Sequence, residues 1–241
     1  MLRKMKSSLR GAFIAAILII TLLSASCGGE DFLFGDEGDI TYVAIGASDA
    51  LGVGAIPEDE GYVFRIEDEL DDELEEDVEL CGLCLVALPA AELDQIKELL
   101  EEVLDAGVEP DLVTILVGAN DILEGVEPED YESDLRDVLN QLRDESPDAI
   151  IVIGNVPDMT QIPRFMDGSD EDVTLERIIA FNEVIESLAQ EFNLPPVVDL
   201  FSVMITDDFV AEDGFHPSDE GHQIIADLFL DVILSEFGVS P

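Results

Sequence analysis

From residue 40 onward, five short apolar runs alternate with longer stretches in which hydrophobic residues recur every three or four positions, and this alternation leaves few folds open. The first run, Ile40-Thr41-Tyr42-Val43-Ala44-Ile45, ends at Gly46 and has the continuous apolar character of a strand buried on both faces. Similar runs lie at 78–88, 112–117, 150–153 and 197–200, and helical patterns lie at about 62–75, 91–105, 131–145, 173–192 and 218–236. In the second helical pattern Leu93, Ile96, Leu99, Leu100, Val103 and Leu104 form one apolar face. Asp111 and Pro147-Asp148 punctuate the chain just before strands, where a helix must already have ended. Strand-then-helix repetition predicts a five-stranded parallel sheet covered by helices on both faces, a three-layer α/β/α domain over residues 40–241. No internal repeat and no second domain is visible.

Residues 1–26 have the organisation of a secretory signal: Arg3, Lys4, Lys6 and Arg10 precede an apolar run at 11–23. Ser24-Ala25-Ser26 then lead into Cys27, a pattern that resembles the lipobox of bacterial lipoproteins. It implies lipidation at Cys27, with residues 27–39 as lipidation site and acidic tether. Ser24 stands where a lipobox usually carries an aliphatic residue, so ordinary signal cleavage remains open, as does an uncleaved anchor. The apolar run is short for a bilayer span of about 20 residues. The expected location is the bacterial cell envelope, lipid-anchored and extracytoplasmic, with secretion as the alternative.

Charge narrows the partners. The chain has 10 Lys+Arg against 57 Asp+Glu, a formal net charge of −47. Removal of residues 1–26 would leave six basic residues against the same 57 acids, a net of −51. Nucleic-acid binding needs a basic surface and is excluded on this ground. Electrostatic docking on anionic lipid is excluded too, which leaves the N-terminal lipid as the only expected membrane contact. A hydrophobic fraction of 47% is too high for an acidic disordered chain. The acids fall on helical faces, as in Glu67-Asp68-Glu69, where salt would screen their mutual repulsion over about 10 Å at 0.1 M. A high-salt habitat is the corresponding expectation.

Cys81 and Cys84 form a lone C-x-x-C pair. Core packing is the leading expectation, a local disulfide the second, and metal or redox chemistry the third, since structural zinc needs four ligands. No metal or organic cofactor is expected. Gly52-x-Gly54 and Gly28-Gly29 lack the spacing of a phosphate-binding loop.

In sheets of this kind ligands gather at the carboxyl ends of the strands. The loops there hold Ser48 after the first run, Leu88-Pro89-Ala90-Ala91 after the second, Gly118-Ala119-Asn120-Asp121 after the third, and Asp213-Gly214-Phe215-His216-Pro217 after the last. A serine hydroxyl is a weak nucleophile until a base takes its proton, and histidine suits that task near neutrality. A carboxylate three residues before His216 can fix its tautomer. The Asn120 amide and backbone N–H groups at Ser48 and Ala90 can face a developing oxyanion.

These blocks resemble the SGNH hydrolases, also called the GDSL esterase/lipase family. Gly46-Ala47-Ser48-Asp49-Ala50-Leu51 is similar to the nucleophile block, Gly118-Ala119-Asn120-Asp121 to G-x-N-D, and Asp213-Gly214-Phe215-His216-Pro217 to D-x-x-H-P. Two positions depart: Ala47 replaces the usual Asp, and Ala90 stands where the family's oxyanion-hole glycine is expected. The resemblance implies a flavodoxin-like α/β/α fold and a serine esterase with a Ser48-His216-Asp213 triad. Its oxyanion hole would comprise Ser48, Ala90 and Asn120, and its substrate a small-molecule or glycan ester. Carbohydrate or peptidoglycan O-deacetylation uses the same residues and stays open, as does a surface-anchored binding module without turnover. Asp121 is expected to bond backbone near the Ser48 loop, His222 to be structural, and Arg164-Phe165 to roof the pocket.

Overall fold

The computed structural model describes residues 40–239; the expected signal at 1–26, the lipidation candidate Cys27 and the tether up to residue 39 lie outside the described residues. Strand β1 (Ile40–Gly46) is buried along its whole length, which its uninterrupted apolar run requires. It pairs in parallel with β4 (Leu112–Ile115) on one side, and with β2 (Val78–Glu79) and β3 (Leu85–Ala87) on the other. Strand β5 (Ile150–Ile153) extends the sheet beyond β4, also in parallel. A buried hydrogen bond of 2.8 Å between the hydroxyls of Tyr42 and Thr114 ties β1 to β4, so neither polar group is left unsatisfied in the core.

Helices α1 (Tyr62–Glu73) and α6 (Asp219–Glu236) pack together. Helix α4 (Pro128–Glu145) packs against both α2 (Leu93–Asp105) and α5 (Leu175–Glu191). The two groups enclose the sheet, giving the expected three-layer α/β/α arrangement. Helix α2 buries all six residues of its apolar stripe. Helix α4 starts three residues earlier than its apolar period suggests. Pro128 occupies its first turn, where a missing N–H costs nothing, and Glu129 and Asp130 face its positive end.

Two expected strands are corrected. The run 78–88 is not one strand but two short ones, because Cys81 and Cys84 are joined in a disulfide with their Cα atoms 4.9 Å apart. Residues three apart in an extended strand lie about 10 Å from each other, so the bridge demands a turn. The Cys84 N–H closes that turn on the Cys81 carbonyl at 2.9 Å. Both cysteines are buried, but as a disulfide rather than as free thiols. The run 197–200 is reduced to a single bridge between Gly154 and Val198. It follows Pro195-Pro196, which cannot donate to a ladder, and the Leu200 N–H turns back onto the Val198 carbonyl. Among the described residues no helix is long and apolar enough to cross a membrane, and no cluster of three or more His, Cys, Asp or Glu could hold a metal ion.

Candidate active site

Three loops leave the carboxyl edge of the sheet and meet. The first follows β1, where the Val53 N–H closes a turn on the Ser48 carbonyl at 3.0 Å and leaves the Ser48 side chain half-buried. The second follows β4. Gly118 there has φ 111°, and a Cβ would stand 2.9 Å from Val156 and 3.1 Å from the Tyr131 hydroxyl, so only glycine fits. It opens the short helix α3 (Ala119–Leu123), which carries Asn120 and Asp121 and which no sequence period announced. The third is a small hairpin, closed by the bridge between Val210 and Pro217 and by the Ala211 N–H on the His216 carbonyl at 2.9 Å.

That hairpin holds Asp213 and His216 in one frame. Asp213 Oδ1 accepts the backbone N–H groups of Phe215 (2.9 Å) and His216 (3.0 Å). Its Oδ2 lies 2.5 Å from His216 Nδ1. With Nδ1 donating to the carboxylate, Nε2 is the acceptor, and it sits 3.0 Å from Ser48 Oγ. The pair is 168 residues apart in sequence. Burial raises the Asp213 pKa, but the hydrogen bonds from the His216 ring and from the two N–H groups outweigh it, and the carboxyl is held below its ordinary value.

Asn120 Nδ2 donates to the Ala91 carbonyl at 3.0 Å, which fixes the amide and leaves its second N–H available. Ala90 has φ 53°, in the left-handed region that favours glycine. It is exposed, and its neighbour Ala91, not Ala90, lines the cleft. Among the described residues the backbone N–H groups of Ser48 and Ala90 make no hydrogen bond.

The expected partner of Asp121 is corrected. Its Oδ1 accepts the N–H of Leu93 at the start of α2 (3.0 Å) rather than backbone near Ser48. The short α3 turns Asp121 inward, where it is 2% exposed. Burial, opposed by the Leu93 N–H and reinforced by the charges of Glu92 and Asp94, raises its pKa from 3.8 to about 6. Burial likewise pushes the Asp49 carboxyl up, offset in part by the Ala50 N–H bonded to it.

His222 on α6 lies outside the Ser48–His216 pair, yet it braces the nucleophile turn. Its Nδ1 accepts the Tyr62 N–H at 3.2 Å and its Nε2 donates to the Val53 carbonyl at 3.2 Å. Burial lowers its pKa, which suits the neutral ring this pairing needs. A second tie runs from the Ile56 N–H to Asp219 Oδ1 at 2.8 Å. Gly54, with φ 105°, lets the two loops touch: a Cβ would lie 2.1 Å from the Pro217 carbonyl oxygen. The sequence offered no sign of these ties, since the partners are 160 residues or more apart.

Arg164 and Phe165 pack against the hairpin that carries His216, but neither lines the cleft. The Arg164 N–H bonds the Gly214 carbonyl at 3.0 Å, and its guanidinium stands 5.1 Å from the Phe215 ring and 5.5 Å from the Phe165 ring. Beside the Ser48–His216 pair opens a cleft of about 80 Å³. Its apolar wall includes Val156, Met159 and Ile162 from the irregular segment after β5, together with Phe215. No hydrophobic period marks these side chains as pocket-facing, because the segment is built of short 3-10 turns.

The chain matches the GDSL-like lipase/acylhydrolase family over residues 43–224. Its fold is similar to that of the psychrotrophic esterase EstA from Pseudoalteromonas sp. The TM-score is 0.65 and the identity 19%, with 83% of this chain and 100% of that one covered. It is also similar to the lipase Lip_vut3 from a goat rumen metagenome, with TM-score 0.65, 20% identity, and 83% and 98% of the two chains covered. A family 3 carbohydrate esterase of Clostridium thermocellum superposes with TM-score 0.63 and 18% identity, covering 83% and 98%. No curated protein matches the chain.

Proposed function

Because the chain belongs to the GDSL-like lipase/acylhydrolase family and is a carboxylic ester hydrolase, we propose that Ser48 is its nucleophile, His216 its general base and Asp213 the group that orients the imidazole. The observation that carries this reading is the alignment of Ser48 Oγ with His216 Nε2 at 3.0 Å, with Nδ1 of the same ring on Asp213. Ser48 Oγ attacks the ester carbonyl as its proton passes to Nε2. The imidazolium so formed faces a carboxylate that its own hydrogen bonds keep ionised. The proposed oxyanion donors are the N–H of Ser48 and the free N–H of Asn120, both on residues that line the cleft; Ala90, whose neighbour Ala91 lines it instead, would contribute only through its backbone N–H. His216 then protonates the departing alcohol. A water molecule, deprotonated by the same ring, releases the acid from Ser48.

Ser48→Ala is expected to abolish p-nitrophenyl ester turnover and labelling by a fluorophosphonate probe while leaving the circular dichroism spectrum unchanged. Retained turnover would remove Ser48 from the mechanism. A surface-anchored binding module has no use for an activated serine, so labelling of the unmodified protein also separates the two readings.

The domain is further proposed to be held at the bacterial cell envelope by lipid on Cys27, with residues 28–39 as its tether. The warrant is the sequence Ser24-Ala25-Ser26-Cys27 after a basic and apolar leader. Globomycin-sensitive processing is the expected result, and an N-terminal peptide mass without lipid would favour secretion.

A further inference from the structure

Building on the esterase reading above, we infer that the site selects esters of aliphatic acids over acetylated sugars, and that its preference rises from acetate to a four-carbon acyl group and gains nothing from longer chains. The cleft beside Ser48 exposes four polar side chains among the described residues: Ser48, Asp49, Asn120 and His216. Ser48 and His216 bond each other, Asn120 bonds the Ala91 carbonyl, and Asp49 holds the Ala50 N–H. All but Asp49 are proposed members of the catalytic set, and the Asp49 carboxylate is engaged at its own turn. A sugar ring brings several hydroxyls that need partners once they leave water, and sites that recognise such groups supply them with polar side chains. The rest of this wall offers none.

What it offers is hydrocarbon. Val156, Met159, Ile162, Leu200, Phe209 and Ile225 come from three separate stretches of chain, and each is 6% exposed or less. An alkyl group entering here replaces water against side chains already packed from behind. The free volume sets its length. A dry apolar cavity of about 150 Å³ accommodates the six carbons of benzene, and the cleft has about 80 Å³. On that ratio it takes about three carbons, the propyl group of a butyrate ester. A longer chain leaves the cleft and meets solvent, so added methylenes stop contributing.

The test is a series of p-nitrophenyl acetate, butyrate, octanoate and palmitate, with acetyl-xylan alongside, on the purified protein. Each buried methylene contributes about fourfold in kcat/KM, so butyrate is expected to exceed acetate by about 15-fold. Octanoate is expected within about threefold of butyrate, and acetyl-xylan to release acetate no faster than p-nitrophenyl acetate does. Ile162→Ala, which removes side-chain volume from the apolar wall, is expected to raise the octanoate-to-butyrate ratio at least about fivefold. Acetate equal to or better than butyrate, a rise continuing by the same factor to octanoate, or preferential deacetylation of xylan would each overturn the inference. If Ser48 is labelled by the fluorophosphonate while the chain-length series is flat, the esterase mechanism stands and the acyl selectivity falls. If no ester is turned over and no label attaches, both fall.

Discussion

Replacing Asp121 by Asn tests whether the fold carries a buried carboxyl at the cost of stability. The side chain is 2% exposed, and its pKa stands at about 6 against 3.8 unperturbed. The folded protein therefore favours the protonated acid. Between those two values the native state binds more protons than the unfolded one, so stability falls as pH rises through the window and is level above it. The difference of about two units corresponds to about 3 kcal/mol of destabilisation at pH 8, and about half of it is regained at pH 5. Asn keeps an oxygen for the Leu93 N–H but has no charge to bury. Any pH-independent cost of its amide cancels when the two proteins are compared at two pH values. Urea unfolding of wild type and Asp121→Asn at pH 5 and pH 8, at fixed ionic strength, gives that double difference. The variant is expected to gain about 1.5 kcal/mol relative to wild type on going from pH 5 to pH 8. Subtracting one protein from the other also removes the repulsion among the many surface acids, which both share. Parallel stability curves would refute the reasoning and mean that Asp121 is solvated or otherwise compensated.

Two further perturbations address the site and its support. Asn120→Ala removes one proposed oxyanion donor and is expected to lower kcat by on the order of 10²–10³ with little change in KM; a loss below about threefold would assign Asn120 to fixing Ala91 alone. Replacing Cys81 and Cys84 together by Ser opens a four-residue loop and is expected to cost about 2 kcal/mol in urea unfolding. Alkylation of two thiols in the unreduced native protein would contradict the bridge.

Much of the layer arrangement was legible because burial on both faces of a parallel strand leaves a continuous apolar run, as at Ile40–Gly46, and burial on one face of a helix leaves a stripe, as in α2. The break between β2 and β3 was not legible. A C-x-x-C pair reads the same whether its thiols are free or joined, and only the approach of the two Cα atoms decides it. The last strand was over-read for a related reason: Val197 and Val198 are apolar enough for a strand, but the prolines before them withhold the N–H groups a ladder needs.

At the site, residue chemistry singled out Ser48, Asn120, Asp213 and His216, since hydroxyl, amide, carboxylate and imidazole each sit in a loop after an apolar run. The Asp213–His216 pairing was local, three residues apart, and so within the reach of sequence. Everything that depends on distant contacts had to wait for the fold: the 3.0 Å between Ser48 and His216, the inward turn of Asp121 towards Leu93, the His222 brace on Val53, and the apolar wall behind the cleft. Sequence by itself determined which groups were available and which layers they would stand between, because those follow from side-chain chemistry and the period of burial. Tertiary structure decided which groups touch, because a hydrogen bond is set to within tenths of an ångström by packing that residues far along the chain supply.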